Sequence, residues 1–400
     1  MTTTTLRRLG LLGALYFAQG LPFGFFVQAL PVLLRQRNYS LDEIGLTSLL
    51  ALPWALKFIW APVVDRRWFP RLGRRRTWIL AMQLAAALTL GVLAIAPGTD
   101  TVVALMIAMM VLNLIAATQD IATDGLAVDI LDHHERGLAN GLQVAAYRVG
   151  MVIGGGVLLG LHDQLGQRGT FAAMAILTVL TTVPVALASE PPPPHETTAS
   201  TPVTPTVHFL RRRGVWRLLA LIVAYKAGEA FAGGMLRPFL VDQGLDAKDV
   251  AWLVGTVGFV AGMAGALVGG AAVTRLGRRR SLVVFGIGQI VTVAGYASLA
   301  ITGAPSMGEL YAWCGVEHFA SGAATAALFT CMMDWSGRST SATDYTVQAS
   351  AVVIATGIAA ALSGFSAQAF GYATHFVVAT ALCGLAVVLA RALFPKDAAW

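Results

Sequence analysis

An all-α membrane protein, with twelve transmembrane helices in two six-helix bundles, is the fold class that this sequence predicts. Three observations predict it. Of the 400 residues, 56% are hydrophobic and only 12% are charged, with a mean hydropathy of +0.69. Soluble domains carry roughly 25% charged residues, so this chain lacks the charge to cover a water-facing surface. Apolar runs long enough to cross a bilayer recur along its length. An arginine-rich segment after the second run returns after the eighth, which divides the chain into two similar halves.

A helix needs about 20 apolar residues to cross the hydrocarbon core. Such runs lie at 9–34, 44–64, 75–96, 101–128, 138–161 and 170–188, and again at 216–242, 248–273, 281–303, 306–334, 344–369 and 371–394. Long helices are expected there, because backbone groups in lipid must be satisfied within the segment. Between the sixth and seventh runs come Glu190, four prolines from Pro191 to Pro194, a Thr/Pro-rich stretch and Arg211-Arg212-Arg213. This composition predicts an extended, poorly ordered linker. The predicted domains are an N-terminal bundle over 1–190, a cytoplasmic linker over 191–214 and a C-terminal bundle over 215–400. The run after Arg7 and Arg8 continues past signal-peptide length, so no cleavable leader is expected.

Placing the N-terminus in the cytoplasm puts 20 of the 28 Lys and Arg residues on the inner side. The outer side then holds only Arg35, Arg37, Arg168, Arg237 and Lys248, and three basic residues stay within the membrane. The positive-inside rule therefore predicts an inner-membrane protein with both termini cytoplasmic. The net charge of +7 does not point to nucleic acid, because the basic residues sit between apolar runs. Cys314, Cys331 and Cys383 lie inside apolar segments without a paired spacing, and are expected to be packing residues rather than disulfide partners. No metal site and no cofactor are expected, and the chain is expected to act as a monomer in the bilayer.

The halves repeat at a nearly constant offset. Leu72-Gly73-Arg74-Arg75-Arg76 returns as Leu276-Gly277-Arg278-Arg279-Arg280, Asp129 matches Asp334, and Gln143 matches Gln348. Arginines at the ends of two helices can bond helix C-termini and pair with a carboxylate such as Asp65 or Asp129. Asp65, Arg74, Arg75, Asp129, Arg278 and Asp334 are therefore candidates for a gate that locks one conformation and releases it in another. The plainer reading is a topology signal alone. The segment resembles the signature loop of the major facilitator superfamily, although the first copy carries extra residues between Asp65 and Gly73.

A charge at the bilayer centre costs roughly 2.5–3.5 kcal/mol on insertion scales, so those retained are functional candidates. Here they are Lys57, Asp120, Asp124, Arg148, Lys226, Glu229, Glu317 and His318. The repeat sorts them: 205 residues after Asp120, Asp124 and Arg148 stand Thr325, Phe329 and Val353, so these charges belong to one half only. Asp120 and Asp124 are four apart and share a helix face. Two carboxylates together in a poor solvent suit a carrier that binds and releases a proton, or else they pair with Lys57 or Arg148 and hold helices together. Lys226 and Glu229, three apart, either neutralise each other or contact substrate. His318 beside Glu317 either relays protons or packs through a hydrogen bond.

Arg148, after Tyr147, is the best single candidate for gripping an anion, because guanidinium binds carboxylate or phosphate through a planar fork and keeps its charge. Tyr16, Gln19, Gln28, Tyr225 and Trp313 add groups that can line a cavity, although Tyr and Trp near helix ends are commonly interface anchors. The expected substrate-binding set is Arg148, Lys57, Gln19, Gln28, Tyr147 and Lys226. The expected proton-coupling set is Asp120, Asp124, Glu229, Glu317 and His318.

Gln19-Gly20-Leu21-Pro22, the segment from Lys57 to Arg66, Gln119-Asp120-Ile121-Ala122-Thr123-Asp124 and Tyr147-Arg148-Val149-Gly150-Met151 resemble one branch of the major facilitator superfamily. That branch holds the AmpG-type muropeptide permeases, the acetyl-coenzyme A transporters and the RhtX/FptX-type siderophore importers. The match covers the N-terminal half, and in the C-terminal half it is architectural. It implies a substrate site near the midplane between two six-helix repeats, and proton-driven import (symport) of an amphiphilic, anionic solute. By motif position it marks Lys57, Asp120, Asp124 and Arg148 as functional. This chain stops at twelve spans where some muropeptide permeases carry further C-terminal helices, which shifts the expectation toward siderophore transport. An acetyl-coenzyme A-type carrier, a channel and a non-transporting membrane receptor are the alternatives. No Ser/His/Asp, HExxH or paired-Cys constellation appears at a membrane surface, so an enzyme is not expected.

Overall fold

Prolines and glycines decide where the predicted runs bend, break and reverse. The computed structural model describes residues 2–36, 47–96, 101–190, 205–303 and 305–394, and every element among them is helical. We number twelve helices. Helix α1 runs over Thr3–Gly24, passes through a π-helical turn at Phe25–Ala29 and ends with Leu30–Gln36. Helix α2 is a chain of short pieces, Thr47–Ala51, Leu52–Leu56, Lys57–Ile59 and Ala61–Arg66, followed by α3 (Arg74–Ile95) and α4 (Val102–Ile130). Helix α5 joins Arg136–Met151 to a π-helical turn at Val152–Val157 and to Leu158–Gly160, and α6 is His162–Leu187. The second half holds α7 (Val215–Asp242), α8 (Ala247–Val250 through Ala251–Val257 to Gly258–Leu276), α9 (Arg278–Thr302) and α10 (Met307–Asp334). The stretch Ser341–Leu393 contains α11 and α12, divided at Gly371.

At 1.5 Å per residue, the 53 residues of that stretch would reach about 80 Å, far beyond one bilayer crossing. Gly371 resolves this with φ 76° and ψ 166°, a left-handed conformation open to a residue without a Cβ, so the chain turns back there. Gly166, 205 residues earlier, has φ 64° and ψ 175° and breaks α6 in the same way, so the repeat extends to backbone conformation. Eight helices among the described residues are long and apolar enough to cross a membrane, with α11 and α12 counted together. The others are α2, which is broken, α5, which is interrupted by its π-turn, and α10, which carries Glu309, Glu317 and Asp334.

Two sequence expectations need correction. The run 44–64 is not one continuous helix: Pro53 and Pro62 stand in it, and 3-10 geometry at Lys57–Ile59 links its pieces. Pro62 has no N–H for the Phe58 carbonyl, which instead accepts a long hydrogen bond from the Thr206 hydroxyl at 3.4 Å. The linker, expected to be extended over 191–214, contains a helix at Pro205–Leu210. Pro205 opens it, a position where the missing N–H is not needed, and Phe209 is buried within it. Residues 191–204 lie outside the described residues.

The chain forms two compact units, one of residues 1–131, 146–208 and 336–350, the other of 132–145, 209–335 and 351–400. This grouping differs from a division at the linker in the two segments around the starts of α5 and α11. In the first unit, Leu21, Phe25, Leu90, Leu112, Phe171 and Met174 belong to one buried apolar cluster. In the second, Leu236, Phe239, Leu253, Tyr296 and Phe376 do so. Leu84, Leu88 and Ile95 on α3 and Ile176 and Leu180 on α6 are exposed, as suits a surface in contact with lipid.

Helices α1 and α5 touch through glycine. A Cβ at Gly154 would lie 2.0 Å from the Leu21 carbonyl oxygen, and one at Gly20 2.2 Å from that of Tyr147. Small residues let helix backbones approach this closely in membranes. Gly154→Val should therefore separate α1 from α5 and destabilise the fold, by about 1–3 kcal/mol or more for an overpacked contact. Thermal unfolding in detergent should show a clearly lowered midpoint, whereas Gly160→Ala, where a Cβ meets nothing within 4 Å, should leave it nearly unchanged.

Candidate functional site

The first unit holds a buried cluster of charged and polar groups on α1, α2 and α4. The break in α2 places Lys57 in its 3-10 segment, where the ammonium pairs with the Asp120 carboxylate and lies 5.5 Å from the centre of the Trp54 ring. One turn along α4, Asp124 Oδ1 accepts a hydrogen bond from the Tyr16 hydroxyl at 2.7 Å. Gln19 Nε2 donates to Thr123 Oγ1 at 3.1 Å. Lys57, Asp120, Asp124, Tyr16 and Gln19 are all buried. Two tryptophans brace the cluster: Trp54 Nε1 donates to Asn113 Oδ1 at 3.0 Å, and Trp60 Nε1 to Thr118 Oγ1 at 3.2 Å. Asp120 thus faces an ammonium and Asp124 a phenol, and the two carboxyl groups also interact with each other.

Arg148 and Tyr147 are half-buried on α5, and the Tyr147 ring packs against Phe23 with centroids 5.7 Å apart. Gln28 is half-buried in the π-turn of α1. A Cβ added at Gly155 would lie 2.9 Å from the Gln28 Cβ, so α5 passes close beneath it.

The second unit has its own cluster on α7, α9 and α10. Lys226 Nζ lies 2.5 Å from Glu229 Oε2 and donates to Thr325 Oγ1 at 3.1 Å. Glu229 also accepts from Gln289 Nε2 at 3.1 Å and from the Ser321 hydroxyl. The pair is therefore embedded in a hydrogen-bonded network rather than simply self-neutralising. Thr325 stands at the repeat position of Asp120, so each unit sets a lysine against the same place on its fourth helix, with a carboxylate in one and a hydroxyl in the other. Further along α10, His318 Nδ1 lies 2.9 Å from both the Cys314 carbonyl and the Glu317 carboxylate. Tyr225 is buried, and its hydroxyl donates to the Leu282 carbonyl at 2.9 Å. Trp313 packs where a Cβ at Gly295 would meet its ring at 2.3 Å. These contacts hold helices together.

The arginine segments form a third element. In the first unit, Arg74 Nη2 donates to Asp65 Oδ1 at 2.7 Å and to the Ser339 carbonyl at 2.5 Å. Arg75 donates from Nε to Asp129 Oδ2 at 2.9 Å and from Nη2 to Ser341 Oγ at 2.6 Å. Its Nη1 lies 2.8 Å from Asp65 Oδ1, an ion pair by distance without hydrogen-bond alignment. Asp65 Oδ2 in turn accepts from the backbone N–H and hydroxyl of Thr343, at 2.8 and 2.5 Å, in the first turn of α11. A carboxylate there satisfies donors that a helix start leaves open. The extra residues between Asp65 and Gly73 therefore do not prevent the pairing. In the second unit, Asp334 accepts from Arg278 Nε at 2.6 Å and from Arg136 Nη1 at 2.9 Å, at the start of α5.

With this geometry in view, comparison with known proteins is decisive for the family. The sequence profile of the Major Facilitator Superfamily matches residues 12–316 and, again, 227–400. The chain belongs to the Major Facilitator Superfamily. It is 34% identical over 392 residues to the anhydromuropeptide permease of Escherichia coli strain K12, covering 96% of this chain and 79% of that protein. The outward-conformation crystal structure of the superfamily transporter FucP superposes with a TM-score of 0.77 at 15% identity, over 98% of this chain and 100% of FucP. An outward-facing bacterial homologue of the iron transporter ferroportin gives 0.73 at 16% identity, over 98% and 99%. At such identities the structures attest the fold alone. Members of the superfamily are membrane transporters with twelve helices, and this chain is one of them.

Sequence reasoning named the charges of these clusters but not all their partners. Ser341, Thr343 and Ser339 carry no charge and escape any search for intramembrane ions. Arg136 was counted only as a topology residue. Glu190, at the last position of the expected N-terminal bundle, was given no role, yet its carboxylate accepts from the backbone N–H groups of Arg75 and Arg76 at 2.8–3.1 Å, capping α3. An acid 115 residues further along the chain leaves no local pattern.

Proposed function

We propose that this transporter imports an anionic, amphiphilic solute of the anhydromuropeptide class across the bacterial inner membrane, coupled to protons, by alternating between two conformations. The observation that carries the reading is the division of labour between Asp120 and Asp124. Asp120 is matched to an ammonium, so protonating it would leave Lys57 buried without its countercharge. Asp124 is matched to a phenol, and the Tyr16 hydroxyl can donate to a carboxyl oxygen whether or not the other oxygen carries a proton. Asp124 is thus built to take up and release a proton without losing its anchor. Arg148 serves charge recognition, as a group that keeps its proton. The identity with the anhydromuropeptide permease over almost the whole chain supports that solute class over the siderophore class. The arginine clusters, which join Arg75 to Ser341 and Arg136 to Asp334 across the two sequence repeats, serve as the gate.

The test is uptake by proteoliposomes bearing an inward proton gradient, with labelled anhydromuropeptide, a siderophore and acetyl-coenzyme A offered separately. Accumulation of the first, abolished by a protonophore, is expected. Accumulation of the siderophore alone would move the substrate assignment, and equal downhill flux with and without the gradient would remove the coupling.

The orientation proposed with it has both termini in the cytoplasm. A cysteine at Thr204 should react with an impermeant thiol reagent only after the inner membrane is opened. The native cysteines are buried and give little background. Labelling in intact spheroplasts would reverse the orientation.

A further inference from the structure

Three aromatic rings from three helices meet beside the Lys57–Asp120 pair. The Phe23 ring of α1 packs edge-on to the Trp54 ring of α2, with centroids 5.5 Å apart and planes at 77°, and lies 5.7 Å from the Tyr147 ring of α5. Trp54 is buried, and its indole N–H is tied to Asn113 on α4, which fixes the wall in place. Phe23 and Tyr147 are half-buried, so this wall keeps open surface that a packed core would not. The same faces of α1 and α4 carry two buried amides with unmet bonding capacity. Gln19, one turn before Phe23, donates its Nε2 to Thr123 and leaves Oε1 without a partner among the described residues. Gln119, one turn before Thr123, leaves Nε2 without one. Buried polar atoms are rarely left in that condition. An unmet acceptor and an unmet donor placed this way match the N–H and C=O of a single amide.

We propose that Phe23, Trp54 and Tyr147 read an N-acetylated sugar ring of the solute, with Gln19 and Gln119 taking its amide. A pyranose has apolar C–H faces and a polar rim, so it lies against aromatic rings by a face and leaves its hydroxyls to polar groups. The wall stands beside a buried ion pair and next to the half-buried Arg148, neighbours that suit a solute path and not lipid tails. An apolar chain would use the rings and leave both amides unmet. A sugar-free peptide would meet the amides and leave the rings bare. The inference rests on the anhydromuropeptide reading above and adds which part of that solute the first unit recognises, Arg148 being left to the acidic part.

The experiment is competition against labelled anhydromuropeptide bound to the full chain in detergent, with N-acetylglucosamine and the sugar-free peptide as separate competitors. Both should compete on the wild type. In Tyr147→Leu and in Gln119→Leu, competition by N-acetylglucosamine should weaken about tenfold, the order of one aromatic contact or one buried hydrogen bond. Competition by the peptide should not change, which also shows that the variants are folded. Equal weakening of both competitors, or no competition by the sugar on the wild type, would overturn the proposal. Saturation-transfer NMR of N-acetylglucosamine on the wild-type chain keeps the test independent of variant folding. Irradiating the protein's aromatic protons should saturate the sugar's ring C–H protons, and their absence from the difference spectrum would defeat the site. Binding of N-acetylglucosamine without binding of anhydromuropeptide would remove the proposed solute and leave the sugar site standing.

Discussion

Arg75→Gln is expected to slow transport by roughly tenfold or more while equilibrium binding of solute changes less than about threefold. The guanidinium is fully buried and engages Asp65, Asp129 and Ser341 at once. Removing one member of a buried ion pair costs about 3–5 kcal/mol, because the partner charge is stranded. A difference of that size between two conformations shifts their ratio by more than a hundredfold. Residues that bias conformation without touching solute act on rate and leave intrinsic affinity alone. Asp129→Asn should act in the same direction and more weakly, since the single amide oxygen can still accept from one of the two donors, Arg75 Nε or the Ser341 hydroxyl, that the carboxylate holds on separate oxygens. Stopped uptake beside calorimetric binding in the same preparation checks both. If binding collapses in a protein that melts normally, Arg75 belongs to the solute site and the gate must be sought elsewhere.

Much of this arrangement is legible in the sequence because membranes leave few options. Helices were expected from apolar length alone, and the reversals at Gly166 and Gly371 fall within the gaps between the sequence runs or at their edge. The repeat offset anticipated that Asp129 and Asp334 face arginines at matching places. The break in α2 escaped because hydropathy does not register the carbonyl that Pro62 leaves open, although the proline itself was visible. Partner choice also escaped. Asp120 with either Lys57 or Arg148 was an open alternative, and only backbone placement of the 3-10 segment brings Lys57 to it. Tyr16 was weighed as a cavity-lining or interface residue, since nothing in one dimension connects it with an aspartate 108 positions away. Neutral partners such as Thr343, Ser341 and Ser321 are invisible for the same reason: their value lies in where a hydroxyl points.

Asp124→Asn is expected to abolish accumulation driven by a pH gradient while preserving downhill exchange of solute for solute. Asparagine keeps an oxygen that can accept from the Tyr16 hydroxyl, so the helix contact survives while the titrating group is lost. Asp120→Asn should behave differently. It leaves the Lys57 ammonium buried beside Trp54 without its carboxylate, and the stranded charge should lower the melting temperature and impair both activities together. Lys57→Met in the Asp120→Asn background removes that charge and should recover much of the stability, which separates an ion pair from a proton site. Tyr16→Phe offers a further check: it removes the donor but leaves the carboxyl, so coupling should persist with a shifted pH dependence while folding is only mildly affected. Counterflow and gradient-driven uptake, measured in the same vesicles at matched expression, distinguish these outcomes. Should Asp124→Asn lose both activities equally in a protein of normal stability, Asp124 is a binding residue, and the proton must travel through Glu229 or Glu317 in the second unit, where carboxylates are held by Gln289 and Ser321 or lie against His318.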